Sequence, residues 1–260
     1  MRLLRSRRSR KIFSVVVFLA SWAAIAEVNL RVQFINPLLL PTPWEIVIAA
    51  WELRQFTWLD VSTSLSRALA GFAIASALGI LFGLLVGYIR LAEDMFETLI
   101  ELFRPIPALA FLPIFIMWFG IGEVSKVLLI AYACFFPVFL NTQQGVRYVD
   151  PVLVRAAYSL GAKPLQIFTN VIIRGALPEI MTGLRAAIAL SLIVLTAAEL
   201  VAADAGMGYR IQESRLQFRV DRMLYGAAML GIAGYSFNLI MRAIEGYLLR
   251  WKSRVEQSKA

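Results

Sequence analysis

The chain has no histidine, and that absence removes zinc sites of the H-E-x-x-H kind and every triad that passes a proton through an imidazole. No G-x-x-x-x-G-K-[ST] cradle for nucleotide phosphates occurs either, so hydrolysis of ATP by that route is excluded. A single cysteine, Cys134, cannot close an intrachain disulfide, and the redox compartment is unreadable from it. Charge is scarce: only 17% of residues are Asp, Glu, Lys or Arg, and no hydrophilic domain or low-complexity linker interrupts the chain. No pair of intramembrane carboxylates marks a proton relay, because Glu199 and Glu245 stand apart in the sequence.

What is present is apolar. Hydrophobic residues make up 60% of 260, against roughly half in soluble domains. Segments near the ~20-residue length that crosses a bilayer fall at Ile12–Ala26, Ser62–Ile89, Ile106–Ile121, Val124–Gly145, Ile180–Ala203 and Met223–Leu249. The expected fold is all-α, a polytopic membrane helix bundle of about six transmembrane helices with a helical cytoplasmic loop. It is one membrane domain over residues 1–260: a basic tail (1–11), spans one to four (12–149), a loop (150–178), spans five and six (179–249) and a second basic tail (250–260). Arg2, Arg5, Arg7, Arg8, Arg10 and Lys11 at one end, and Arg250, Lys252, Arg254 and Lys259 at the other, place both termini in the cytoplasm by the positive-inside rule. Two tails on one side require an even number of crossings. The net charge of +9 sits mostly in these tails and suits anionic membrane lipid rather than nucleic acid. A second reading of the amino terminus is a cleaved signal peptide, with Ala24-Ile25-Ala26 as an A-x-A site.

The loop, Asp150 to Pro178, is the most informative stretch. Asp150 and Pro151 make an N-cap and N1 pair. Gly161 suits the left-handed position that closes a helix, and Pro164 restarts a second one. In that second helix Leu165, Phe168 and Ile172 share a face, with Ile167 and Val171 beside them, while Gln166, Thr169 and Asn170 point elsewhere. One face is apolar and one is wet, as for a segment gripped from outside the membrane.

The segment Arg155-Ala-Ala-Tyr-Ser-Leu-Gly161-Ala162, followed by Phe168, Val171 and Ala176-Leu177-Pro178, resembles the EAA loop of the membrane subunits of bacterial binding-protein-dependent ABC importers. Phe103-Arg-Pro-Ile-Pro107 running to Trp118-Phe-Gly-Ile-Gly122, Gly183-Leu-Arg185, and Ala198-Glu199-Leu200 leading to Gly206-Met-Gly-Tyr209 are similar to the nitrate, sulfonate and taurine permease group. The resemblance covers nearly all of the chain beyond the first span. It implies a permease subunit of the bacterial inner membrane, with coupling helices docked on a separate ATPase through Arg155, Ala156, Ala157, Gly161, Ala162, Leu165 and Phe168. It also implies an extracytoplasmic solute-binding protein and a second permease subunit, commonly an identical one. The chain itself carries no cofactor; ATP and Mg belong to the ATPase. Two departures stand out: Arg155 replaces the acidic residue that opens the motif, and Arg174 occupies the late proline position. A rival class is an autonomous ion-coupled carrier or an intramembrane enzyme.

Several intramembrane features point to a path or to packing. Gly71, Ala75, Gly79, Gly83 and Gly87 form a four-residue stripe that lets another backbone approach closely, in the bundle or in a second subunit. Pro105, Pro107 and Pro113 break the third span, and broken helix is tolerated where protein or a watery cavity satisfies the freed carbonyls. Pro107, Pro113 and Trp118 are therefore placed near the translocation pathway, a packed kink being the alternative. Asn141 in the fourth span and Ser191 and Glu199 in the fifth are further pathway candidates. Glu199 has a second reading, a brace for the loop that follows it. Arg185 either faces a cavity or snorkels. In the outer segment, residues 204–222, Arg210, Arg215, Arg219 and Arg222 outnumber the acids. They attract an acidic protein or an anion, or else they are internal pairs of a short surface helix.

Overall fold

The computed structural model describes residues 7–250, and all regular elements there are helical. In chain order they are α1 (Arg7–Val32), α2 (Pro43–Tyr88), α3 (Arg90–Phe103), α4 (Leu112–Phe119), α5 (Glu123–Arg147), α6 (Pro151–Ser159), α7 (Pro164–Ile167), α8 (Ile173–Val201), α9 (Met207–Leu216) and α10 (Val220–Leu248). Arg2, Arg5, Lys252, Arg254 and Lys259 of the basic tails lie outside the described residues. Among the described residues five helical stretches are long and apolar enough to cross a membrane, and the bent pair α3–α4, taken as one broken span, passes the same test as a sixth. The expected all-α bundle of about six crossings is what the sequence builds.

The third crossing begins earlier than the run Ile106–Ile121. Residues 90–103 and 108–119 share it, with an 83° bend between them. Pro105 and Pro107 cannot donate to the helix ladder and clash with the preceding turn, so α3 stops there. Pro113 sits in the first turn of α4, where a missing N–H costs nothing. Glu93, Asp94, Glu97 and Glu101 lower the hydropathy of α3, yet its Ala92, Phe96 and Ile100 pack on Phe82, Phe135 and Phe139.

The second helix is also longer than expected. Ser62–Ile89 is only the latter part of α2, whose 46 residues extend about 69 Å, more than twice the apolar thickness of a bilayer. Its start is fixed by a reciprocal cap: Glu45 N donates to Thr42 Oγ1 at 3.3 Å, and Thr42 N donates to Glu45 Oε2 at 2.7 Å.

Helix α5 is the centre of the bundle, and the glycine stripe of α2 lies against it. A Cβ added at Gly79 would stand 2.8 Å from the Val138 Cβ, and one at Gly83 would stand 2.8 Å from the Phe139 carbonyl oxygen. The stripe therefore serves packing within this bundle. On the other flank, Gly183 of α8 meets the Pro137 carbonyl, and the Cys134 thiol donates to the Ala187 carbonyl at 3.2 Å. Ala68, Leu129, Ile130, Ala187 and Leu195 fill the core between these three helices. By contrast α1 and α10 are largely exposed on the periphery.

Candidate functional site

One end of the bundle carries the hairpin that the sequence marks out. Asp150 Oδ1 accepts from Val152 N at 2.8 Å and starts α6. Gly161 takes φ +81°, and the helix closes with Ala162 N donating to Ala157 O at 3.1 Å and Gly161 N donating to Tyr158 O at 2.9 Å. This is the paired bonding of a glycine-terminated helix, in which the left-handed residue lets two otherwise orphaned carbonyls be satisfied. Nothing lies within 4 Å of where a Gly161 side chain would be, so the glycine is required by conformation and not by crowding.

The second helix departs from expectation. It is not a separate element: α7 runs through a π turn, Phe168–Ile172, directly into α8, giving one rod over Pro164–Val201. In the cluster at its start the buried residues on this rod are Ile167, Ile172, Ala176 and Ile180, spaced five, four and four apart. The extra residue of the π turn is what brings Ile167 into line with the rest. Leu165 is left 72% exposed, while Phe168 turns inward onto the Tyr88 ring at 4.8 Å between centroids. Thus Leu165 and Phe168 do not share a face. Arg155, Ala156 and Gly161 are exposed, Ala157 and Ala162 are half-buried, and Leu160 is 88% exposed. Between α6 and the start of α8 lies a cavity of about 580 Å³ lined by Leu153, Ala156, Ala157, Leu160, Val171 and Arg174.

The opposite end is closed by charge. Glu199 is buried on α8, accepts from Arg67 Nη1 at 2.6 Å and from Ser64 Oγ at 2.8 Å, and takes the Gly208 N–H at 2.9 Å. Ser64 in turn accepts from Met207 N at 2.9 Å, and Asp60 accepts from Gly206 N at 3.1 Å and Arg210 Nε at 2.8 Å. Three side chains from α2 and α8 thereby satisfy the free N–H groups at the start of α9, where a helix favours negative charge. Arg67 also grips Glu123 of α5 through two nitrogens, each at 2.5 Å. Glycine at positions 206 and 208 makes room: a Cβ at Gly206 would stand 2.4 Å from Glu199 Oε1. Most of the outer arginines are used internally, Arg210 by Asp60 and Glu213, and Arg219 and Arg222 by Glu52. Hydrogen bonding to Asp221, and then to Glu52, holds Arg219 firmly in its charged form. Arg215 is exposed.

The six pathway candidates are not brought to one place. Pro107 lines a cavity of about 500 Å³ between the broken third crossing, α5 and α8. Pro113 and Trp118 are exposed on α4, Trp118 at 69%. Asn141 donates to the Pro137 carbonyl at 2.7 Å and Ser191 to the Ile188 carbonyl at 2.8 Å, each within its own helix. Glu199 belongs to the charged closure. Arg185 pairs with Glu245 of α10. Reading along the chain gave no sign of the partnership between Arg67 and Glu199, since a 132-residue separation has no local signature.

Residues 75–254 match the family model described as binding-protein-dependent transport system inner membrane component. The chain is 37% identical over 250 residues to the taurine transport system permease protein TauC of Escherichia coli (strain K12), covering 94% of this chain and 90% of that protein. It is 34% identical to the putative aliphatic sulfonates transport permease protein SsuC of Bacillus subtilis (strain 168), covering 92% and 86%. It is 30% identical to the formylaminopyrimidine transport permease protein ThiX of Halalkalibacterium halodurans, covering 95% and 99%. Among solved structures, an amino acid ABC transporter crystallised with histidines superposes with a TM-score of 0.61 at 19% identity, over 80% of this chain and 97% of that one. The inward-facing MetNI methionine ABC transporter superposes at 0.58 and 19%, over 79% and 97%. At those identities the structures speak for the fold. With the family model and the sequence relatives in agreement, this chain belongs to the binding-protein-dependent transport system inner membrane components, the permeases of ABC importers.

Proposed function

We propose that the chain pairs with a second copy of itself to form the path by which a small organic anion, of the taurine or alkanesulfonate class, enters a bacterial cell. Nitrate is the inorganic counterpart of that class. The protein sits in the cytoplasmic membrane with both termini inside, surrounded by lipid. An external binding protein delivers the solute, and ATP with Mg on separate ATPase subunits supplies the energy.

The observation that carries this reading is the hairpin around Gly161, whose Leu160 and Leu165 find no cover in their own bundle. Arg155, Ala156, Ala157, Gly161 and Ala162 make its docking surface, Leu165 adds apolar area, and Phe168 anchors it from behind against Tyr88. Closure of the ATPase pair displaces this surface. Because Pro164–Val201 is one rod of 38 residues, about 57 Å long, the displacement reaches the Glu199 closure at the far end without a joint other than the π turn and Pro178. Differential binding of nucleotide to the two arrangements supplies direction. The names of the relatives support the sulfonate class. Pro107, Pro113 and Trp118 are assigned to the path, and Asn141, Ser191 and Glu199 to holding the helices that bound it.

The test is reconstitution of the full chain in liposomes with and without its ATPase and binding protein, reading uptake of labelled taurine. Uptake that needs both companions and ATP is expected. Turnover by the chain alone overturns the proposal in favour of an autonomous carrier.

A further inference from the structure

Arg104 is an exposed arginine on the third crossing that meets no carboxylate of the described bundle. The Tyr132 hydroxyl donates to the Phe103 carbonyl at 2.9 Å, which pins the end of α3 to α5. Tyr132 lies about 14 Å along α5 from Glu123 and about 22 Å from Arg147, at 1.5 Å per residue. Those two residues mark the ends of the crossing, Glu123 held by Arg67 and Arg147 holding Glu93. Arg104 follows Phe103 directly and so leaves the backbone between those two ends. Arg67 and Arg185, also on crossing helices, each hold a carboxylate. The Arg104 guanidinium pairs with no carboxylate among the described residues. An arginine in that setting is costly and turns to a cavity or a ligand.

The cavity is present. Arg104 lines the space of about 500 Å³ with Pro107, Tyr132, Phe136, Leu190 and Val194, and no acidic residue lines it. Its volume lies in the range of small-molecule sites, which are mostly apolar with a few polar groups that fix orientation. We propose that this cavity is an anion subsite of the path. The planar fork of Arg104 takes two oxygens of a sulfonate head, and the walls at Phe136, Leu190 and Val194 take the short hydrocarbon part. The identity of the head group rests on the sulfonate reading above; the anion subsite rests on Arg104 and the cavity.

The test uses thiol labelling of the full chain in membrane vesicles. Cys134→Ser removes the native thiol, and Leu109→Cys places a reporter on the same cavity wall, where Leu109 is 47% exposed. The anionic reagent sulfonatoethyl methanethiosulfonate is compared with the cationic trimethylammonioethyl methanethiosulfonate. With Arg104 in place the anionic reagent reacts faster, and Arg104→Gln lowers the ratio of the two rates by about tenfold, the scale on which a focused charge raises local anion concentration. Arg104→Lys keeps most of that ratio, and ethanesulfonate slows labelling only when position 104 is cationic. A ratio unmoved by Arg104→Gln, or a thiol reached by neither reagent, overturns the subsite. If Arg104 controls the ratio but acetate protects while ethanesulfonate and taurine do not, the subsite stands and the sulfonate assignment falls.

Discussion

The two ends of this bundle are built on opposite principles. At the α9 end, polar groups are buried and bonded to one another: Asp60, Ser64, Arg67 and Glu199 are all nearly inaccessible, and they join α2, α5, α8 and α9. At the α6 end the apolar groups are the exposed ones: Tyr148 is 78% exposed, Leu160 88% and Leu165 72%. The polar network of the first end is satisfied within one chain. The second presents the kind of surface whose burial contributes about 25 cal/mol per Å² once something covers it. A buried ion network gives geometric definition more than net stability, because desolvation offsets much of the attraction. Its use here is to fix where three helices stop, so that motion imposed at the other end acts against a defined closure.

The largest effect is expected from removing one member of the closure. Glu199→Ala leaves buried Arg67 with Glu123 as its one carboxylate and the Ala205 carbonyl beside it, and strips the Gly208 N–H of its acceptor; breaking such a pair costs on the order of 3–5 kcal/mol. Thermal unfolding of the detergent-solubilised protein reads this directly, and a melting temperature equal to that of the unaltered chain would show that the closure is not structural. Next comes the seam. Gly83→Val thrusts a branched side chain at the Phe139 carbonyl and Thr142, neither of which is a flexible chain end, and overpacking of this sort costs roughly 1–3 kcal/mol. The same measurement applies, with Gly231→Val, which meets nothing within 4 Å, as the control that keeps its stability.

These contrasts also explain what was legible in the sequence. Helix caps and breaks are local, so Asp150, Gly161, Pro164 and the break at Pro105 and Pro107 could be placed from residue types alone. The count of crossings followed from tail charge and hydropathy. The length of α2 did not, because Glu45, Glu52 and Asp60 interrupt the apolar run while their partners, in part on α9 and α10, are far along the chain. The first half of the third crossing was hidden by its four acids in the same way. The π turn was hidden too, since one added residue changes which side chains face inward without changing composition; Leu165 and Phe168 were assigned one face and occupy two. Among the pathway candidates, Pro107 reached a cavity because a helix break makes space locally. Glu199 has its bonding partners on α2 and α9, and no spacing rule announces that.

Substitutions at the α6 end should invert the pattern seen at the α9 end. Gly161→Val forces a branched residue toward φ +81°, a left-handed conformation that costs roughly 1–2 kcal/mol, and the alternative is to lose the turn. Either way the bundle core is untouched, so insertion and folding persist. Association with the ATPase subunit, read by co-purification, should be lost. Retained coupled uptake in that variant would remove the hairpin from the coupling path.

The smallest structural effect, and the sharpest separation of the two ends, comes from Leu160→Ser and Leu165→Ser. Both side chains are mostly exposed and belong to none of the buried clusters, so their removal should change the unfolding free energy by no more than about 0.5 kcal/mol. If they are seated on another chain, however, each loses contact area at a docking surface, and a loss of about 1.4 kcal/mol per site weakens binding tenfold. Unfolding of the isolated chain and titration with its ATPase subunit are therefore two readings of one variant. An unchanged melting temperature with weakened titration is expected, the reverse of what Glu199→Ala should give. Should the titration be unaffected as well, these leucines face lipid, and the docking surface must be sought instead among Arg155, Ala156 and the cavity beside Arg174.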